Sequence, residues 1–300
     1  MQKYFNSHRI EVFIALLFLL PSLIIFIFFS FYPIIEAFRL SFFKWDNPTA
    51  EPVFYGFKNY IELFSNDRFL NSIKVTLIYA IFVTAITIGL GLILASILNN
   101  NILVIRSFWR SLFFLPIVTP TVVAAMVWIL LFNPSFGFVN TLLKQLGILG
   151  PNWFSDPNWA LPLIITLGIW KRLGFTMVIY LAALQSISKE YYESAQIDGA
   201  NFYQIFRKIT LPLLSPTTVT LITLGLIDSF LVFDQVLVMT RGGPASSTEV
   251  LGLFLYIDAF TLFKIGKGAS IAVVTFAIVA IITIVQWLFI GLGSNEDYSK

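Results

Sequence analysis

The stretch Glu193-Ser194-Ala195-Gln196-Ile197-Asp198-Gly199-Ala200-Asn201-Phe202-Tyr203-Gln204-Ile205-Phe206-Arg207-Lys208-Ile209-Thr210-Leu211-Pro212 is a polar island between two long apolar segments. Its helix ends are specified residue by residue. Ser188 precedes it as an N-cap, and Glu190 sits in the first turn, where the helix dipole favours an anion. Gly199 can close that helix in a left-handed turn without a Cβ penalty. Asn201 followed by Gln204 is a capping box for a second short helix. Arg207 and Lys208 suit the C-terminal end of that helix, and Pro212 is expected to stop it. The island reads as helix, glycine turn, helix. On these signals alone it is either a rigid knob with a task or an ordinary well-capped loop.

Outward from the island the chain is apolar. Of its 300 residues, 58% are hydrophobic and 12% charged, against roughly 25% charged in a soluble protein. So few charges cannot cover a water-facing surface, so lipid is the main solvent. There is no cysteine, which excludes disulfides and thiol chemistry, and with one histidine a transition-metal site has no donor set. The net charge of +3 is too small and too dispersed for a nucleic-acid partner.

A bilayer core about 30 Å thick takes about 20 apolar residues of helix. Stretches at roughly 12–33, 73–98, 108–132, 161–186, 217–240 and 269–292 qualify, all within one membrane domain spanning 1–300. Backbone groups in lipid must be bonded internally, so these runs are helices. Their continuity excludes a membrane β-barrel, whose strands would alternate. The polar start holds Lys3, His8 and Arg9. The run Val12 to Tyr32 is longer than a signal-peptide core, lacks a small-residue cleavage site, and reads as a retained first span.

The stretch 34–72 reads as an outer loop with one surface helix near Tyr60–Phe64. The link 99–107 carries Asn100, Asn101 and Arg106. Pro116 and Pro120 bend the third span, and the proline- and glycine-rich 133–160 reads as an irregular cap. Arg241-Gly-Gly-Pro244 makes an abrupt turn, and Thr248–Phe263 reads as a short amphipathic segment. Lysines and arginines, Lys300 included, divide almost evenly between the two sides, so charge alone leaves the orientation open.

Ionisable groups inside a membrane are costly and seldom face lipid. Lys171 and Arg172 lie in the fourth span, and Asp228 lies near the centre of a fifth span over 217–240, at similar depth. Arg172 or Lys171 is therefore expected to pair with Asp228. Two readings of the pair stay open: it fixes helix packing, or it lines a passage. Asp234, about 9 Å further along one helix, would point about 120° away from Asp228.

The spacing of Glu193, Ala195, Gly199, Ile209, Leu211 and Pro212 resembles the EAA loop of ABC-transporter permeases. Ser194 stands where the usual pattern has alanine, one small residue for another, and Asp198 precedes the glycine. Trp170, Gly174-Phe175 and Leu181-Ala-Ala-Leu-Gln-Ser-Ile187 resemble the sugar-permease branch related to the maltose and glycerol-phosphate importers. So do Gly56-Phe57 with Asn59-Tyr60, Phe132-Asn-Pro134, and Met239-Thr-Arg-Gly-Gly-Pro244 with Ser247-Thr248. The similarity covers about 12–292.

The resemblance implies an all-α membrane protein of six transmembrane helices with a cytoplasmic helix-turn-helix coupling loop. It implies a bacterial inner-membrane location with both termini cytoplasmic. The implied partners are a second homologous permease subunit, two ATP-binding subunits that hold ATP and magnesium, and an extracytoplasmic solute-binding protein. This chain has no phosphate-loop motif, so it is not the enzyme and holds no cofactor of its own. The solute implied is a sugar, oligosaccharide or related polyol. Alignment to sugar-contacting positions of maltose-type permeases points to Ile117, Thr121, Trp170, Arg172, Phe175, Gly225, Ser229 and Val232. Trp170 and Phe175 suit the apolar faces of sugar rings, or merely pack between helices. Arg172 is far larger than the small residue expected and suits an anionic or highly hydroxylated solute. A rival reading is an ion-coupled secondary transporter with Asp228 and Asp234 as proton sites. It predicts inverted repeats, and the sequence shows no clear one.

Overall fold

The structure, a computed structural model, describes residues 14, 16–99 and 105–294. Val12, Lys3, His8, Arg9, Asn100, Asn101 and Lys300 lie outside the described residues. The protein is helical apart from one short hairpin of β1 (Phe43–Lys44) and β2 (Val53–Phe54), with Phe43 opposite Phe54. Among the described residues five helices are long and apolar enough to cross a membrane. They are α1 (Leu16–Leu40), α3 (Asp67–Asn99), α7 (Pro157–Ser186), α9 (Phe202–Phe230) and the apolar part of α12 (Ile265–Ser294). A bent pair, α4 (Arg106–Val118) and α5 (Thr121–Leu131), makes a sixth if it counts as one span. Shorter helices are α2 (Lys58–Phe64), α6 (Phe138–Gln145), α8 (Lys189–Ile197), α10 (Asp234–Met239) and α11 (Leu251–Thr261). The sequence reading treats the chain as one domain. By packing it groups into two compact units, Met1–Ser65 with Leu255–Phe276, and Asn66–Phe254 with Ala277–Lys300.

In the first unit buried side chains hold the backbone at the start of the hairpin. The buried Asn59 amide donates to the carbonyls of Ser41 (2.8 Å) and Phe43 (2.9 Å). Ser270 Oγ donates to the Ser41 carbonyl at 3.0 Å, and Lys267 pairs with Asp258 at 3.1 Å.

The second unit is built on α3 packed along α7, with α9 against both. Its core includes Ala95, Met177, Tyr180, Leu184, Leu214 and Leu221. The fit of α4 against α7 depends on Gly174. A Cβ there would lie 2.0 Å from the Phe113 carbonyl oxygen, so no side chain is admitted.

Four span expectations are corrected. The third span is broken, not merely bent: α4 and α5 meet at 100°. Thr119, which precedes Pro120, takes an extended conformation (ψ 127°), the one that a following proline favours. The irregular cap contains α6. The fifth span is shifted toward the N-terminus: α9 ends at Phe230, and after an irregular Val232 and Phe233 a separate helix, α10, begins at Asp234. Finally, Pro212 does not stop the island's second helix. The chain makes a π turn over Phe206–Thr210, and the Leu211 N–H bonds back to the Phe206 carbonyl. The wider turn moves the preceding carbonyls out of the path of the ring, and the helix continues through the membrane. The same device carries α1 past Pro33, with a π turn over Ile27–Phe31 and the Tyr32 N–H on the Ile27 carbonyl.

Candidate functional site

Two features of the second unit carry chemistry, one at the turn of the α7–α9 hairpin and one beside the middle of α7 and the far end of α9. The first is the island. The Glu190 N–H donates to Ser188 Oγ (3.4 Å), which starts α8. Gly199 closes α8 at φ +77°, and the Ala200 N–H returns to the Ala195 carbonyl at 2.9 Å. Asn201 and Gln204 form the reciprocal capping box, both bonds 2.9 Å. Glu193, Ser194, Asp198, Gly199, Leu211 and Pro212 are exposed, while Ala195 and Ile209 are half-buried. The tip is apolar: Ile197 is 86% and Phe202 82% exposed, an arrangement suited to docking on another surface.

The second feature is a cavity of about 430 Å³ within the helix bundle. Of the residues singled out in the sequence, Ile117, Thr121, Lys171, Arg172, Phe175, Asp228, Ser229, Val232 and Asp234 line it. Trp170 and Gly225 do not. Trp170 is nearly opposite Phe175 on α7 and packs against Trp128, ring centroids 6.0 Å apart. Gly225 lets α9 approach α3, where a Cβ would meet the Thr84 side chain at 2.8 Å.

The two adjacent cations divide their work. Arg172 pairs with Asp228, bridging the two helices that the island joins. The Lys171 ammonium donates to the Thr119 carbonyl, one of the groups freed where α4 breaks from α5. Asp228 lies near the end of α9, not at the centre of a span. Because the helix breaks before Asp234, the 120° separation calculated for one continuous helix does not apply, and both carboxylates face the cavity. Arg172 is mostly buried, and its Nη2 has no protein partner among the described residues. Its guanidinium also lies over the Phe175 ring at 5.9 Å.

Sequence reasoning missed Tyr79, Val83, Gly168, Leu231 and Gln235. Gln235 is buried and its amide donates to Tyr79 Oη at 2.7 Å. A polar amide and a phenol inside apolar runs were the available signal, by the rule applied to the charged groups.

Polar ties cross the α7–α9 hairpin at three levels. Tyr192 Oη lies 3.4 Å from Thr210 Oγ1, Tyr180 Oη donates to Thr218 Oγ1 at 2.9 Å, and Arg172 holds Asp228. The partners are 18, 38 and 56 residues apart, stepping outward from the island to the cavity.

Comparison with known proteins agrees with this architecture. Residues 87–290 match the family described as binding-protein-dependent transport system inner membrane component. The chain is similar to a probable ABC transporter permease protein, YurN, of Bacillus subtilis (strain 168), 34% identical over 97% of this chain and 99% of that protein. It is also similar to the trehalose/maltose transport system permease protein MalF of Thermococcus litoralis, 34% identical over 92% of each chain. Among solved structures it resembles a chain of a bacterial alginate ABC transporter in complex with an alginate pentasaccharide-bound periplasmic protein. That match has a TM-score of 0.80 and 25% identity over 95% of this chain and 96% of the other. A multi-pass helical bundle, an exposed capped island between two of its membrane helices and a polar cavity along the same two helices are thus set in a chain that belongs to the family of inner-membrane components of binding-protein-dependent transport systems, the ABC-importer permeases.

Proposed function

We propose that this permease passes an uncharged, hydroxyl-rich solute, a sugar, oligosaccharide or related polyol, through the cavity between α7 and α9. The observation that carries the reading is the charge balance of the cavity wall. Two cations, Lys171 and Arg172, face two carboxylates, Asp228 and Asp234, with Tyr79, Thr121, Ser229 and Gln235 between them. Hydroxyl groups both donate and accept, so a polyol can satisfy both kinds of wall group. An anionic solute would find Arg172 already engaged by Asp228 and would meet the repulsion of both carboxylates. Phe175 offers an apolar face for a ring. The trehalose/maltose relative supports the sugar class.

In this reading the island faces the cytoplasm, as do both termini, and seats its apolar tip in separate subunits that bind ATP and magnesium. A second permease completes the passage, and an extracytoplasmic binding protein delivers the solute. Closure of the ATPase pair moves the hairpin between states, provided ATP and the loaded binding protein each favour one of them. The family assignment supports this reading and not the ion-coupled one. Uptake by the reconstituted transporter, competed by neutral sugars and by their uronic-acid or phosphorylated counterparts, tests it. Neutral sugars are expected to compete. Competition by the anionic forms alone, or uptake driven by a proton gradient without ATP, would refute the proposal.

A further inference from the structure

The segment between α5 and α7 exposes large apolar side chains while it turns an amide inward. Asn140 of α6 is turned inward, where its amide donates to the Pro134 carbonyl at 3.3 Å and its carbonyl oxygen accepts from Trp153 Nε1 at 2.7 Å. A Cβ on Gly150 would strike the same amide, so the loop is closed tightly around it. The outward side carries Phe138 and Leu142, and the turn after the helix adds Leu146 and Leu149, the last 95% exposed. A helix bathed in water would show Asn140 and hide Phe138 and Leu142. An apolar surface of this extent is a contact surface for something.

We propose that α6 is an interfacial anchor, lying in the headgroup layer of the bilayer with Phe138, Leu142 and Leu146 among the acyl chains. The segment follows α5, the second half of the broken apolar pair, which ends at Leu131, and leads into the membrane helix α7 at Pro157, so both its ends are tied to apolar helices. The apolar surface is continuous in the chain with the outward side chains Val123, Val127 and Leu130 of α5. Ring contacts run from Trp128 through Phe132 to Trp153 and Trp159, centroids 5.2 Å apart at each step, and tryptophan concentrates at the level of the headgroups. Lys144 is the single charge of α6 and lies in its last turn, within reach of a lipid phosphate. A helix of this kind rests about 5–10 Å into the headgroup and acyl boundary. A binding protein is a poorer occupant, because it leaves in every cycle and would return these leucines to water.

The absence of native cysteine makes the test direct. Leu142→Cys and Leu149→Cys, each assembled with cysteine-free partner chains in phospholipid vesicles, would carry one environment-sensitive fluorophore. Phospholipids spin-labelled near the headgroup should quench both labels strongly, aqueous iodide should quench them weakly, and the loaded binding protein should change neither. Strong iodide quenching without lipid quenching would overturn the proposal, as a water-facing surface. Shielding from both quenchers would overturn it in favour of coverage by the second permease, and shielding that needs the binding protein would overturn it in favour of docking. Leu149 makes no packing contact to lose, so its label keeps the test valid if Leu142→Cys fails to assemble.

Discussion

The island joins α7 to α9, the cavity lies along the same two helices, and the two are held by different physics. The island's helix caps are local: Ser188 to Glu190, and Asn201 to Gln204, reach over 2 and 3 residues. The cavity's bonds are long-range: Lys171 to Thr119, Arg172 to Asp228 and Gln235 to Tyr79 span 52, 56 and 156 residues. A locally bonded knob keeps its shape while it moves between partners. A wall made of distant contacts changes shape when its helices shift. On the function proposed above, the island is the rigid part of the machine and the cavity wall the adjustable part.

Substitutions at either end can break or sharpen this contrast. The largest effect is expected from Gly174→Val, which forces α4 from α7. Overpacking of this kind costs about 3 kcal/mol, so the variant should show a much lower yield of assembled transporter and a lower melting temperature. Next is Asp228→Ala. Removing one partner of a buried ion pair costs about 3–5 kcal/mol, but Asp228 is 63% exposed, which reduces the expected loss to about 2 kcal/mol. Exchanging the pair, Arg172→Asp with Asp228→Arg, should restore stability but not uptake if the pair meets the solute. Recovery of both would assign it to packing alone. At the island, Gly199→Val has open space around its Cβ but is held at positive φ, a strain of about 1–2 kcal/mol. The protein should still insert, while the number of solutes moved per ATP falls. Normal uptake would remove Gly199 from the coupling path. The smallest effect is expected from Asn201→Ala, which loses the capping box at about 1 kcal/mol and should lower the melting temperature slightly.

The same contrast explains what could be read from the sequence. The island was legible down to its caps because each signal lies within one helical turn of the group it serves. Only the stop at Pro212 failed, since a π turn is a response of the backbone to proline and has no residue signature of its own. The membrane helices were legible from apolar length, and the pairing of Arg172 with Asp228 from the cost of charge in lipid. The break after Phe230 was not, because no proline or glycine marks it. That one break altered the depth of Asp228 and the direction of Asp234. Trp170 and Gly225 were misplaced for a related reason: a sequence gives the helix but not which side faces the cavity.

The passage of the helix through Pro212 has a mechanical meaning. Phe202, at the tip of the island, and Asp228, at the cavity, belong to one unbroken rod of 29 residues. At 1.5 Å per residue the rod is about 40 Å long. A tilt of only about 5° over that length displaces the far end by about 3 Å, a full hydrogen-bond distance. On the proposed function, such a rod carries a small angular movement at the island to the contacts at the cavity.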